Sequence, residues 1–171
     1  TANYTRAWVA NFLLFFSFMV MTPLFPVYLS AEFGADKDTI GWVLAGYSIT
    51  AVLARFVSGW LVDSFPRMVV LVSSFVLFAL CTGAYLLAGS LLAFAVVRTL
   101  HGIPFGAATV ANSTVAVDSL PFSRRAEGIG YYGLSNNVAT ALAPSAGLFL
   151  YGAWADFRLL VWVAVVLAVA G

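Results

Sequence analysis

Charged residues are scarce in this sequence. Only 9% of its 171 residues are Asp, Glu, Lys or Arg, whereas soluble globular domains carry about 25%. Hydrophobic residues make up 63% of the chain, and the mean hydropathy is +0.99. So much apolar surface in so short a chain excludes a water-soluble globular domain and predicts a membrane protein.

Other scarcities exclude further classes of function. The net charge of +1 gives no support for a nucleic-acid partner, so none is expected. The single cysteine, Cys81, cannot form a disulfide within the chain, and a metal site needs more ligands. The sequence shows no metal cluster, nucleophile triad or filter-like loop, which disfavours an enzyme or a channel, and no cofactor is expected.

Long apolar runs separated by short polar breaks predict an all-α membrane protein, because about 20 helical residues cross the hydrocarbon layer. We expect one domain over residues 1–171, with six membrane-spanning helices. These cover residues 8–30, 39–62, 68–88, 91–118, 125–150 and 158–171. The last run is too short, since its roughly 14 residues reach only about 20 Å. We therefore expect a fragment of a longer protein, cut within its sixth helix.

Basic residues near the helix ends predict the orientation in the membrane. One side of the predicted bundle carries most of them, namely Arg6, Arg67, Arg124 and Arg125. The other side has Lys37 and Arg158 among four acidic residues. We therefore expect a cytoplasmic N-terminus in an inner (plasma) membrane of bacterial type.

The stretch "VVRTLHGIPFGAA", residues 96–108, contains a charge where lipid would not select one. Arg98 lies seven residues inside the fourth run, and a charge near the bilayer centre costs at least about 2.5 kcal/mol. His101, Phe105, Thr109 and Asn112 follow at steps of three and four, so they share its helix face. We interpret this face as the wall of a water-accessible cavity; the alternative is that Arg98 snorkels to the membrane surface.

The same run contains residues that shape a helix. Gly102 and Gly106 form a G-x-x-x-G pattern, which lets another helix approach closely. Pro104 between them removes a backbone hydrogen bond, so we expect a bend.

Polar and breaking residues also interrupt the first and fifth runs. Pro23 and Pro26 predict an irregular, hinged outer end of the first helix, and Pro144 predicts a bend in the fifth. Asn136 and Asn137 lie in the middle of the fifth run. A role in lining the cavity and a role in packing between helices are equally consistent with them.

Two acidic residues end helices on the cytoplasmic side. Asp63 ends the second helix and Asp118 the fourth, where the helix dipole disfavours a carboxylate unless a cation offsets it. Arg67 and its basic neighbours on the same side are able to do so. The alternative is a solvated loop without further function.

Four motifs in this order resemble the major facilitator superfamily, specifically its branch of twelve-helix drug:proton antiporters. The loop between the second and third helices is similar to the signature G-x-L-x-D-R-x-G-R-[RK]. The matching residues are Gly59, Leu61, Asp63 and Arg67, and the departures are Ser64, Pro66 and Met68.

The other three motifs lie within predicted helices. Arg98 and Gly102 match the signature R-x-x-Q-G-x-G of the fourth helix, with His101 in place of the glutamine. The other two are a P-x-x-P motif in the first helix and a motif ending G-P-x-x-G in the fifth. Their matching residues are Pro23, Pro26, Pro144 and Gly147.

The resemblance implies an N-terminal half made of two inverted three-helix repeats, completed by a second six-helix half. It implies alternating access, in which two halves rock around a central site. It also implies that Asp63, Arg67 and Asp118 form a charge lock that stabilises the outward-open state, and that Arg98 belongs to the proton-coupling region. The partners implied are a small-molecule substrate, protons and the lipid bilayer.

Three functions remain open from the sequence. The first is a proton-coupled exporter of small amphipathic molecules, and the second is an importer of sugars or other nutrients on the same fold. The third is a non-transporting receptor or assembly subunit. No Asp or Glu lies deep in any of the six runs. The proton carrier is therefore either His101, whose ordinary pKa is about 6.5, or an acid outside this sequence.

Overall fold

The computed structural model describes residues 2–171, and these fold into seven α-helices joined by short turns. The α-helices are α1 (Ala2–Met21), α2 (Phe25–Phe33), α3 (Lys37–Ser64), α4 (Arg67–Ala84), α5 (Leu91–Asp118), α6 (Arg125–Trp154) and α7 (Phe157–Ala170). Three-residue 3-10 turns lie at Thr22–Leu24, Tyr85–Leu87 and Phe122–Arg124. No strand occurs in residues 2–171.

The helices α1 and α2 form a single membrane-length segment, so the predicted all-α fold of six segments is confirmed. Four segments are long and apolar enough to cross a membrane: Ala2–Phe33, Lys37–Ser64, Arg67–Leu87 and Leu91–Asp118. Helix α6 has 30 residues but is not among them, since Asn, Ser, Thr and Gly dilute its hydropathy. Helix α7 is apolar and has 14 residues.

Side-chain caps define where several helices begin. The Asp36 carboxylate accepts a hydrogen bond from the Thr39 amide (2.9 Å) at the start of α3, and this bond lowers the pKa of Asp36. Ser90 caps α5, and Asp156 caps α7. Gly34 ends α2 at a φ of +61°, where a residue with a side chain would be strained.

The packing of the segments has the symmetry of two three-helix repeats. Helix α3 packs mainly on α5, and its counterpart α6 packs mainly on α1. In the same way α4 packs on α5, and its counterpart α7 packs on α1. The two helices that occupy equivalent positions in the repeats also touch: α1 contacts α5, and α4 contacts α7. Exchanging the first three segments for the last three therefore preserves the main contacts, as expected of two three-helix repeats.

Glycine lets the backbones of α3 and α5 meet. A Cβ atom on Gly102 would collide with the Tyr47 carbonyl oxygen, and one on Gly106 with the Ala51 carbonyl oxygen. The Thr50 hydroxyl on α3 also donates a hydrogen bond to the Thr99 carbonyl on α5 (2.6 Å). This close crossing holds the central part of α5 in the interior of the bundle.

The prolines fall in two kinds of place. Pro23 lies in the 3-10 turn between α1 and α2, and Pro26 lies in the first turn of α2. The chain thus leaves the α-helical path at Pro23 and resumes it in the turn that contains Pro26, and hinge motion there stays a prediction. Pro104 and Pro144 lie inside α5 and α6, which continue through them.

Candidate functional site

Arg98 lies inside the bundle, enclosed by aromatic rings. Its side chain belongs to α5 and the residue is 3% exposed. The guanidinium carbon lies 4.2 Å from the ring centre of Tyr47, 4.7 Å from that of Phe25 and 5.1 Å from that of Phe18. These rings come from α3, α2 and α1, and their faces attract a cation. The snorkelling alternative is not what the structure shows.

The charge on Arg98 has no carboxylate beside it among residues 2–171. All seven acidic residues of the chain are exposed, at helix ends or in loops. The Arg98 Nε and Nη1 atoms are buried without a hydrogen-bond partner in the described chain, and so is the Tyr47 hydroxyl. The site is therefore a buried cation with unused donors, an expensive arrangement that folding alone does not require.

His101 lies one turn further along α5 and is 2% exposed. Its Nε2 lies 3.3 Å from the Thr82 hydroxyl, and its Nδ1 lies 3.2 Å from the Tyr85 hydroxyl. Two hydroxyl partners suit a neutral imidazole, which donates from one ring nitrogen and accepts at the other. The ring also packs on Phe78, with ring centres 4.7 Å apart. His101 is thus held in place by α4 and the turn that follows it.

The α5 face predicted to be a wet wall is a buried stripe in this structure. Arg98, His101, Phe105 and Asn112 are all buried, because α1, α3 and α4 cover them. Asn112 borders a pocket of about 380 Å³ between α1, α4 and α5. The shared face is real, while its access to water and its part in proton coupling stay predictions.

A second buried polar cluster connects α1, α5 and α6. Asn112 donates to the Ala7 carbonyl (2.9 Å), and Asn11 donates to the Ser135 hydroxyl (2.8 Å). Tyr132 donates to the Asn11 side-chain oxygen (2.9 Å). Asn11, Tyr132 and Ser135 were not among the predicted site residues. In the sequence they are only polar residues within two apolar runs. Their contact could be predicted only if the packing of α1 on α6 were already known.

The structure does not bring Asn136 and Asn137 to Arg98. Asn136 is partly exposed and accepts a hydrogen bond from Thr140 (3.1 Å), and Asn137 is exposed on the outer side of α6. Gly130 and Gly133 are open on the same helix, since a Cβ atom on either would meet nothing. Helix α6 thus presents a polar, small-residue side that nothing in the described chain covers.

The predicted cytoplasmic charge cluster is partly assembled. Arg67 forms an ion pair with Asp118, joining the start of α4 to the end of α5. Asp63 is exposed and takes part in no ion pair within residues 2–171. Arg124 makes a separate two-bond contact with Glu127 (2.9 Å and 2.9 Å).

The motif glycines differ in their surroundings. Gly147 on α6 packs against the Val20 backbone, where an added Cβ atom would collide with the carbonyl oxygen. Gly59, near the C-terminal end of α3, has open space where its Cβ atom would be. Close helix packing is therefore a property of Gly102, Gly106 and Gly147.

Sequence comparison assigns the chain to a protein family. The profile of the Major Facilitator Superfamily matches residues 7–171. The chain belongs to this superfamily. Its members are transporters, which fits the long apolar helices of the bundle.

Individual bacterial relatives within the superfamily have different cargoes. The chain is 29% identical to a Na(+), Li(+), K(+)/H(+) antiporter of Planococcus maritimus, over 95% of this chain and 39% of the relative. It is 24% identical to a staphylopine export protein of Staphylococcus aureus, over 82% of this chain and 35% of the relative. It is also 38% identical to a probable nitrate/nitrite transporter of Mycobacterium tuberculosis, over 42% of this chain and 19% of the relative.

The chain therefore spans less than two fifths of the length of the two relatives that it matches along most of its own length. This proportion, with the six segments and their repeat symmetry, describes a half-length major facilitator chain.

Proposed function

We propose that the chain is the N-terminal half of a proton-coupled exporter of small amphipathic molecules, working by alternating access. It resides in a bacterial inner membrane with a cytoplasmic N-terminus. The observation that carries the proposal is Arg98, a cation kept in the bundle interior without a carboxylate partner in the described chain. Such a residue inside membrane helices marks an ion or substrate pathway. Two relatives named as an antiporter and an export protein support the direction.

The cytoplasmic charges are proposed to hold one state of the cycle. The Arg67–Asp118 pair ties α4 to α5 at the membrane surface, and Asp63 is the last residue but one of α3. In the proposed lock these three charges stabilise the outward-open state. Asp63→Asn should then expose the cytoplasmic side, which cysteine accessibility on each face of the membrane measures.

The uncovered side of α6 supports a second six-helix half as partner. Asn137 is exposed in the middle of a 30-residue helix, where lipid cannot satisfy the hydrogen-bonding groups of its amide. Polar and small residues are typical of contacts between membrane helices. The coupling proton then resides either on His101 or on an acid in that second half.

Uptake of a nutrient is the second candidate. The relative named as a probable nitrate/nitrite transporter, 38% identical over 76 residues, supports a small nutrient ion as cargo, although its name states no direction of transport. An exporter and an importer of this fold differ in the direction in which substrate moves relative to protons. A non-transporting receptor or assembly subunit would move neither.

Transport in sealed vesicles with an imposed pH gradient tests the proposal. Vesicles containing the chain, produced with and without its second half, are loaded with an amphipathic fluorescent dye or a labelled sugar. We expect dye movement against inward proton flow, and loss of it in Arg98→Ala. Accumulation of sugar with protons would support uptake instead. Unchanged transport in a folded Arg98→Ala protein would remove the basis of the proposal.

A further inference from the structure

We propose that the aromatic box around Arg98 is a binding site for a carboxylate. The box is made by Phe18, Phe25 and Tyr47. The polar groups in it that have no hydrogen-bond partner in the described chain belong to Arg98 and Tyr47. The inference deepens the proposed function, on which it rests for its role in transport. Binding itself is measured without any gradient, so the two can fail separately.

Each of the unused groups in the box is able to donate a hydrogen bond. They are the Nε–H and Nη1–H groups of Arg98 and the hydroxyl of Tyr47, which is 7% exposed. A phenol can donate to an anion while a guanidinium can only donate, so a shared acceptor satisfies both. A carboxylate offers two oxygens with about four acceptor positions and forms charge-assisted hydrogen bonds with arginine.

The described chain has no carboxylate that reaches the box. Three acidic residues lie near the end of α5 that carries the Arg67 pair, and four lie at the opposite end. They are Asp63, Asp118 and Glu127 at the first end, and Glu32, Asp36, Asp38 and Asp156 at the second. All seven are exposed. A counter-anion for Arg98 must therefore come from a small molecule or from another protein chain.

The aromatic walls suit an organic anion. Three ring centres lie within 5.1 Å of the guanidinium carbon, and these rings leave the Nε and Nη1 atoms without a hydrogen-bond partner in the described chain. The Tyr85 ring packs on Phe25, with ring centres 5.2 Å apart, and its hydroxyl lies 3.2 Å from the His101 Nδ1, so Tyr85 supports one side of the box. The chemistry recognised is a carboxylate with an apolar body.

Nuclear magnetic resonance of the arginine Nε–H groups tests the inference on the purified chain in detergent. The Arg98 signal is assigned by its loss in Arg98→Lys, and the exposed Arg55 serves as the internal control. The probes are sodium acetate and its neutral isostere acetamide at constant ionic strength. We expect acetate to move the Arg98 signal downfield and to saturate, while acetamide and the Arg55 signal show no such change.

Two variants keep the test falsifiable if Arg98→Lys does not fold. Tyr47→Phe removes one donor of the box, and should weaken acetate binding about tenfold. Tyr131→Phe removes an exposed hydroxyl and should leave it unchanged.

The outcomes separate the two sources of the carboxylate. Saturation by acetate supports a free carboxylate as ligand. An Arg98 signal that is already downfield, insensitive to acetate and returned upfield by dilution supports a carboxylate from a second copy of the chain. A signal in the unpaired range that acetate does not move, or moves only as much as that of Arg55, overturns the proposal.

Discussion

Arg67 and Arg98 are matched to their surroundings in opposite ways. Arg67 lies at the start of α4, about half exposed, and pairs with the Asp118 carboxylate. Arg98 is 3% exposed, lies among aromatic rings and has no carboxylate partner in the described chain. Water stabilises the first charge whether or not the pair forms, whereas only protein groups or a ligand can stabilise the second. Burying its charge therefore costs stability at Arg98, whereas the exposed Arg67 pair is able to form or break at little cost in free energy.

The largest effect is expected where α3 meets α5 next to Arg98. Gly102→Leu should destabilise the bundle by about 1–3 kcal/mol or more, because the new side chain collides with the α3 backbone. Gly59→Leu, near the Arg67 end, adds the same atoms into open space and should change stability little. Thermal unfolding in detergent compares the two. Equal destabilisation would mean that the interior around Arg98 is no more tightly packed than the surface around Arg67.

Replacing each arginine with methionine should change stability in opposite directions. Arg98→Met removes a buried cation with unsatisfied donors and should stabilise the fold by about 1–3 kcal/mol while abolishing transport. Arg67→Met breaks an exposed ion pair and should cost at most about 1 kcal/mol. Thermal unfolding and vesicle transport are the measurements. A less stable Arg98→Met protein would show that the aromatic contacts outweigh the cost of burying the charge.

A third prediction concerns His101, the titratable neighbour of Arg98. His101→Gln restores the residue of the resembled signature and keeps one donor and one acceptor for Thr82 and Tyr85. The pH dependence of transport should change only if His101 carries the proton. The rate is measured from pH 5 to 8, around the ordinary pKa of about 6.5. An identical profile assigns the proton to a group outside this chain.

The smallest effect is expected at the exposed pair. Asp118→Asn should lower the free energy of unfolding by less than about 1 kcal/mol, and high salt should diminish the difference because it screens surface charges. Glu32→Gln is the control, since Glu32 is exposed, lies outside the proposed lock and has no ion-pair partner in the described chain. A loss larger than that caused by Gly102→Leu would contradict the contrast between the two regions.

Most of the fold followed from the sequence because lipid imposes a simple length and hydropathy rule. All six segments lie where apolar runs predicted them, although α6 is too polar to satisfy that rule in the structure. The small residues Gly102 and Gly106 correctly indicated a close helix contact.

The surroundings of Arg98 could not be predicted in the same way. With 15 Phe and 7 Tyr in the chain, nothing in the sequence singled out Phe18, Phe25 and Tyr47 as its neighbours. Their contact depends on the register between α1, α2, α3 and α5, which is set by packing over the whole bundle. For the same reason, the burial of His101 could not be predicted, because polar residues spaced by three and four along α5 fit a water-accessible face equally well.

The position of the Arg98 guanidinium relative to lipid is the most direct test of the account. Lipids carrying a nitroxide on the acyl chain broaden the signals of groups that touch the hydrocarbon layer. The indole N–H of Trp162, 57% exposed on α7, is the control in the same spectrum. We predict that the spin-labelled lipid broadens the Trp162 signal and leaves the Arg98 Nε–H signal sharp. Equal broadening of both would place Arg98 against lipid and contradict a site inside the bundle.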